Sequence, residues 1–209
     1  MSVKRNFNKS AWAQGWKDTS YWLDGLPEFE DGAEQPPIQV DVAIVGSGYT
    51  GLNAALQTIR GGRSTVVLEA GDPGFGCSTR NGGQVSTSIK PSLEFLSQKF
   101  GSEKGRSIRK EGETALDWIE DLVTSENIDC SFLRSGRYHA AHTQEHYEII
   151  VRDAEAVSRT EGIEAYAVAR SDQLKELGSD IYHGGVLFPR HASLNPAKYL
   201  RGLLNRVLE

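Results

Sequence analysis

Apolar and polar positions first fall into a clear pattern at Asp41-Val-Ala-Ile-Val45, where Val42 and Ile44 point one way and Ala43 and Val45 the other. A short run that is apolar on both faces predicts a central strand of a parallel sheet, covered on both sides. Helical spacing follows over about 49–60, with Leu52, Ala55, Leu56 and Ile59 on one face, and Gly61-Gly62 stop it. A second strand, Thr65-Val66-Val67-Leu68, ends on Glu69. Beyond Pro91 the pattern is helical again. Leu93, Leu96 and Phe100 share a face over 92–100, and Gly101 closes that helix. A longer helix is predicted over about 104–124. Its buried stripe is Ile108, Ala115, Leu116, Ile119, Leu122 and Val123, and Trp118 is expected in the core beside it.

Weaker patterns complete the chain. Cys130–Leu133 and Arg137–Ala141 flank Ser135-Gly136 and predict a hairpin. Thr143 is placed to cap a helix over about 144–160, and 165–169 reads as a strand. Ser171 is expected to cap a short helix ending near Gly178, and 182–192 to hold a strand pair or a strand and loop. Asn195-Pro196 is a strong start for the last helix, a capping side chain followed by proline at the first helical position. This order gives an α/β chain: a Rossmann-like parallel βαβ unit, then helices and short antiparallel strands of an inserted α+β region.

Before Asp41 there is no core pattern. Trp12, Trp16, Tyr21 and Trp22 stand among polar residues, with Pro27, Pro36 and Pro37 after them. Large aromatics seldom stay in water, so residues 1–40 read as an arm that packs across a larger body and ends in a stiff linker. An alternative is that these aromatics line a substrate entrance. The expected divisions are this arm, a βαβ unit and loop at 41–90, helices and the start of a substrate-side sheet at 91–194, and a returning helix at 195–209. Two strands are too few for a free-standing parallel sheet. The 209 residues are therefore expected to be an N-terminal portion of a longer fold; a small complete protein is the alternative.

Composition narrows the function classes. Hydrophobic residues at 38% and charged residues at 24% indicate a globular chain. A net charge of −5 without a basic run disfavours a nucleic-acid surface. No stretch approaches the roughly 20 apolar residues that span a bilayer, and no apolar core follows Lys4-Arg5 as a secretory signal requires. No membrane insertion and a cytoplasmic location are expected. Cys77 and Cys130 have no metal or C-x-x-C spacing and fit reduced thiols, with Cys77 expected small, buried and inert rather than linked to a cofactor.

The candidate chemistry lies between the two strands and just after them. Gly46-Ser47-Gly48-Tyr49-Thr50-Gly51 has a distinct task for each glycine. Gly46 permits a tight turn, Gly48 lets the backbone approach a pyrophosphate, and Gly51 lets helix and strand pack closely. The helix N-terminus then offers N–H groups and partial positive charge to the anion. Glu69 lies 18 residues past Gly51, where a carboxylate can accept from ribose hydroxyls and would repel a 2′-phosphate. After Glu69 and Ala70 comes Gly71-Asp-Pro-Gly-Phe-Gly76, then Ser78-Thr79-Arg80-Asn81-Gly82-Gly83-Gln84. Backbone and hydroxyl donors with an arginine fork can wrap an extended phosphate chain, which favours FAD over NAD.

Val45-Gly-Ser-Gly-Tyr-Thr-Gly-Leu52 together with Ser78-Thr-Arg-Asn-Gly-Gly-Gln84 resembles the FAD-dependent amine and amino-acid oxidoreductases of the D-amino-acid oxidase type. Within that group it looks most like the gamma-glutamylputrescine oxidoreductases. Cys77-Ser78-Thr79 departs from the Ala-Ser-Gly expected there. The resemblance implies FAD as cofactor and a small amine or amino-acid substrate. It also implies hydride transfer from the carbon beside nitrogen, with oxygen or another acceptor reoxidising the flavin. Ser78, Thr79 and Arg80 would approach the phosphate and ribityl chain, and Asn81 to Gln84 would pass near the ring. No catalytic acid or base is evident. The alternatives are an NAD-dependent dehydrogenase, which would leave 71–84 without a cofactor role, and a non-catalytic truncated flavin domain.

One metal pattern is weak in context. His142-Thr-Gln-Glu145-His146 matches H-x-x-E-H, but Thr143 reads as a cap that puts His142 outside the helix, so no metal is expected. His139 and His183 sit on expected strands without an evident role. Arg190 and His191 follow a strand and are weak candidates to reach substrate.

Overall fold

The computed structural model describes residues 13–17, 19–27 and 35–209. Trp12 and residues 28–34 of the expected arm and linker lie outside the described residues.

Strand β1 (Val42–Val45) leads through the glycine turn into helix α1 (Tyr49–Arg60), and strand β2 (Thr65–Leu68) returns parallel to β1, pairing Val42 with Thr65 and Val45 with Leu68. Gly62 takes a positive φ of 72°, which ends the helix and turns the chain. Leu52, Ala55 and Leu56 are buried as their spacing predicts, whereas Ile59, in the last turn, lies at the rim and is partly exposed. The expectation that β1 is covered on both faces is not met. Helix α1 covers the side of Ile44, while Val45 is 88% exposed and Ala43 is open too. Among the described strands only β2 pairs with β1.

Strand β3 (Gln84–Ser86) leads to α2 (Leu93–Phe100), capped by Ser92, and to α3 (Ser102–Ser125). Leu96 is buried but Phe100 is largely exposed. On α3, Leu116, Leu122 and Val123 are buried, with two small residues, Gly105 and Gly112, in the same seam. A Cβ on Gly112 would collide with the Thr87 carbonyl, so this glycine sets how closely α3 approaches the segment after β3. Trp118 is not in the core but 44% exposed. It lies two residues from Leu116, about 200° around the helix, and so faces away. Ala115 is exposed for a similar reason.

Strand β4 (Arg137–Ala140), helix α4 (Gln144–Glu161), β5 (Tyr166–Val168) and β6 (Gly185–Phe188) form the second region, a three-stranded antiparallel sheet in the order β4-β6-β5. Strand β7 (His191–Ser193) instead pairs antiparallel with β3. The predicted hairpin is therefore not formed. Ser131 takes a φ of 54°, which breaks the first arm, and Leu133 exchanges two 2.9 Å backbone bonds with Ser193. Ser135-Gly136 joins two sheets rather than two arms of one. The segment 182–192 does hold two strands, but in different sheets. Thr143 caps α4 by accepting from the His146 N–H. Ser171 caps nothing. It bonds to Asp172, and only a short 3-10 turn, Gln173–Lys175, follows.

Helix α5 (Pro196–Leu208) starts as predicted, with the Asn195 side chain accepting from the Ala197 and Lys198 N–H groups. It packs on α1, and the main core lies between them. Leu52 and Leu56 meet Leu122, Val123, Ile128, Cys130, Tyr199, Leu200 and Leu203. This core holds α1, and with it the glycine turn, from behind.

The arm touches the second half of the glycine-rich loop. Ser20 Oγ donates to the Thr79 carbonyl, and Trp22 Nε1 donates to the Asn81 carbonyl at 2.7 Å. Tyr21 does not dock. It is 81% exposed, because the tight turn at Tyr21–Leu23 directs Trp22 inward and Tyr21 out. The Trp22→Phe variant should loosen this loop by about 0.5–1.5 kcal/mol, the net worth of one hydrogen bond. Faster amide exchange at 78–83, with an unchanged rate in α5, is the expected readout.

Candidate functional site: a dinucleotide cradle

The turn after β1 is built from backbone that only glycine accommodates. Gly46 has a φ of 97°. A Cβ on Gly51 would stand 2.0 Å from the Gly46 carbonyl oxygen and 3.3 Å from the Ile44 side chain. Helix, turn and strand thus touch through backbone. A Cβ on Gly48 would approach Ser78 Oγ to 3.1 Å, pointing into the space between turn and loop. Helix α1 has no side-chain cap at Gly48. Its first N–H, on Tyr49, donates to Ser78 Oγ at 3.2 Å.

Glu69 ties turn and loop together. Its carboxylate accepts from Ser47 N at 2.8 Å, Ser47 Oγ at 2.6 Å and Ala70 N at 2.8 Å. The Ser47 hydroxyl and N–H hold the Glu69 carboxyl below its ordinary range. A depressed carboxyl contributes stability above its unfolded value, near 4.5, and loses it as pH falls through the folded value. Urea midpoints should therefore drop between pH 5 and more acidic buffers, and Glu69→Gln should flatten that drop. The effect is small because Glu69 is exposed.

A cleft of about 450 Å³ opens here, lined by Gly48, Glu69, Ala70, Gly71, Gly74, Phe75, Gly76, Cys77 and Ser78. That is within the roughly 300–1,000 Å³ of small-molecule clefts. Of the residues singled out from sequence, Gly48, Glu69, Ala70 and Ser78 line it, and Gly46, Ser47 and Gly51 shape its wall. Thr50 is exposed on the first turn of α1. Tyr49 turns its ring away, donating to the Pro196 carbonyl at 3.0 Å and packing 5.1 Å from Tyr199. Burial pushes its hydroxyl pKa up to about 12.

The rest of the motif makes its bonds and contacts within the loop and to the segments beside it. Thr79 is fully buried and donates to the Gly74 carbonyl. Arg80 Nε donates to the Phe75 carbonyl at 2.8 Å, and its guanidinium lies over the Phe75 ring. Asn81 bonds Cys77, Ser78 and Gly83. Gly82 is exposed. Gly83, at a φ of 69°, packs where a Cβ would strike the Leu194 carbonyl. Gln84 opens β3 with its side chain exposed.

Four further cleft residues, Gly71, Gly74, Phe75 and Gly76, belong to the glycine-rich loop without a role assigned to each from sequence, and Cys77 joins them in the lining. Cys77 is exposed rather than buried, since the 3-10 turn Cys77–Thr79 puts Thr79 inward instead. Arg190, a weak candidate for substrate, is held by Glu113 at 3.4 Å and Asp117 at 3.1 Å. His142 and His146 stack 6.0 Å apart, and the His142 N–H points at His146 Nδ1. Among the described residues no cluster of His, Cys, Asp or Glu suits a metal.

This geometry agrees with known proteins. The family model described as "FAD dependent oxidoreductase" (DAO) matches residues 41–209. The chain belongs to that family. It is 28% identical over 189 residues to a probable oxidoreductase OrdL of Haemophilus influenzae, covering 88% of this chain and 43% of that protein. It is 28% identical over 187 residues to gamma-glutamylputrescine oxidoreductase of Escherichia coli, covering 82% and 42%. Among solved structures, L-amino acid deaminase from Proteus vulgaris aligns with a TM-score of 0.68 at 19% identity, covering 91% of this chain and 48% of that one. The chain thus spans less than half the length of each of these proteins. Its fold is the α/β, Rossmann-like architecture of the family, with mixed sheets and helical insertions. No described helix is long and apolar enough to cross a membrane.

Proposed function

We propose that this DAO-family chain binds FAD in the cradle between Gly46 and Ser78, and serves the oxidation of a C–N bond in an amine or amino-acid derivative. One observation carries the cofactor reading. The Gly48 turn, the N-terminal end of α1 and the 71–78 loop converge on one cleft, where a larger residue at Gly48 would press on Ser78, while one at Gly51 would force α1 off the turn behind it. Gly46, Gly48 and Gly51 seat the pyrophosphate, with the α1 N–H groups directed at it. Glu69 takes the adenosine ribose, exchanging part of its bonding to Ser47 for the sugar hydroxyls. Ser78 lies beside the phosphate path, with Thr79 and Arg80 bracing the loop. Asn81 to Gln84 lead towards the ring. Bound FAD supplies the hydride acceptor, and oxygen or another acceptor takes the electrons onward. A purely NAD cradle would leave the five loop residues of the cleft without a task.

The division into an arm at 1–40, a cofactor unit at 41–90, a substrate-side region at 91–194 and a returning helix at 195–209 belongs to the same reading. The name of the Escherichia coli relative makes a gamma-glutamylated diamine the first substrate to test. Reconstituted with FAD and kept without oxygen, the protein should lose its oxidised-flavin absorption on addition of gamma-glutamylputrescine, more slowly with free amino acids. Flavin that stays oxidised with every amine tested would refute the proposed reaction.

A further inference from the structure

The loop wall of the cleft is held by the three residues that follow it. The Thr79 hydroxyl donates to the Gly74 carbonyl, and Arg80 Nε donates to the Phe75 carbonyl at 2.8 Å. The Asn81 amide donates to the Cys77 and Ser78 carbonyls, at 3.0 and 3.2 Å. Gly74, Phe75, Cys77 and Ser78 all line the cleft. Whatever fixes the backbone of 79–81 therefore fixes the wall.

That backbone is gripped by the N-terminal arm. Ser20 is buried, and its hydroxyl donates to the carbonyl of Thr79, itself fully buried. The same hydroxyl accepts from the Trp22 N–H at 3.3 Å, and Trp22 Nε1 donates to the Asn81 carbonyl at 2.7 Å. One short turn thus holds two carbonyls, one on each side of Arg80. The grip has a footing of its own. The turn Tyr21–Leu23 packs on α5, Arg201 of α5 donates to the Pro27 carbonyl, and Lys17 pairs with Asp24 at 2.9 Å. Helix α5 is braced on α1, and α1 begins at the glycine turn on the other side of the cleft. Between turn and loop, the Tyr49 N–H reaches Ser78 Oγ at 3.2 Å. A phosphate seated on the α1 N-terminus competes for that N–H. The grip of the arm lies behind the wall, where a ligand in the cleft does not compete for it.

We infer that Ser20 and Trp22 are positioning residues for the cofactor: through Thr79 and Asn81 they set the 74–78 wall, and so govern how slowly FAD leaves. The cofactor half of this inference rests on the flavin reading above; the hold on the wall does not.

The test uses the full chain reconstituted with FAD. Release is followed on dilution as the return of free-flavin fluorescence. Ser20→Ala leaves a buried carbonyl without its donor and should speed release about tenfold. Trp22→Phe loses one exposed hydrogen bond and should speed it about twofold to fivefold. Leu116→Ala is the stability control: Leu116 is buried on α3, outside the relay from arm to wall. It should lower the urea midpoint more than either arm variant and release FAD at the parent rate. Release that simply follows the urea midpoint across the three variants would overturn the inference.

The hold on the wall is read without flavin. The Phe75 N–H donates to the Asp72 carbonyl at 3.1 Å. Its amide exchange in the cofactor-free chain should quicken in both arm variants and stay unchanged in Leu116→Ala. Unchanged exchange at Phe75 in the arm variants would overturn the hold, whatever the flavin does. Quickened exchange with FAD release at the parent rate would overturn the control of retention. A parent chain that takes up no FAD removes the flavin reading and the cofactor half together, and the exchange at Phe75 then decides the hold. Trp22→Phe carries both readouts if Ser20→Ala fails to fold.

Discussion

Gly51→Val should abolish flavin retention. The smallest side-chain atom at this position would stand 2.0 Å from the Gly46 carbonyl oxygen, and that oxygen belongs to backbone that cannot rotate aside. Relief requires α1 to move away from β1 or the glycine turn to open. Either change removes the seat for the pyrophosphate, because the turn and the α1 N-terminus act together. Overpacking costs about 1–3 kcal/mol, occasionally more, in stability. The effect on binding should exceed the effect on folding, since the displaced atoms are the site itself. Visible absorption after FAD incubation and gel filtration measures the first, and a urea titration the second. A variant that retains full flavin content would show that this turn does not hold the cofactor.

Leu200→Ala should produce the largest loss of stability without touching the cleft. Leu200 is completely buried in α5, within the cluster that joins α5 to Leu52 and Leu56 of α1. Truncating a buried leucine costs about 2–5 kcal/mol through lost transfer energy and the cavity left behind. A domain of this kind has only about 5–15 kcal/mol in total. The urea midpoint should fall sharply at unchanged slope. FAD affinity should change little under conditions where the chain remains folded. A midpoint within error of the parent would mean that α5 does not brace α1.

These two predictions differ in how far the sequence alone could carry them. Gly51 was legible because its constraint is local: strand, turn and helix are consecutive, and their boundaries follow from periodicity and glycine. The caps at Thr143 and Asn195 were legible for the same reason, since each acts within one turn. Strand partners were not. Leu133 pairs with Ser193 and β3 with β7 across more than fifty residues, and nothing in the 130–141 alternation distinguishes that from a hairpin. Exposure failed where the pattern was ambiguous. Val45 is apolar like Ile44, yet only one of their faces is covered. On α3 the contact seam runs through Gly105 and Gly112, which an apolar count passes over.

The cleft divides similarly. Glycine turn and terminal acid were placed together by spacing, and the structure brings Gly48, Glu69 and Ser78 to one cavity. Arg80 and Asn81 were placed near the cofactor by residue type. Their bonds to carbonyls and an N–H of their own loop, set by the fold of 74–83, carry no pattern in the sequence.

The most direct test of the account is the visible spectrum of the purified chain after incubation with FAD and removal of free cofactor, recorded before and after denaturation. The account predicts bound flavin that denaturation releases, and no comparable uptake of NAD. A folded chain that stays colourless, or that retains NAD in its place, would contradict it.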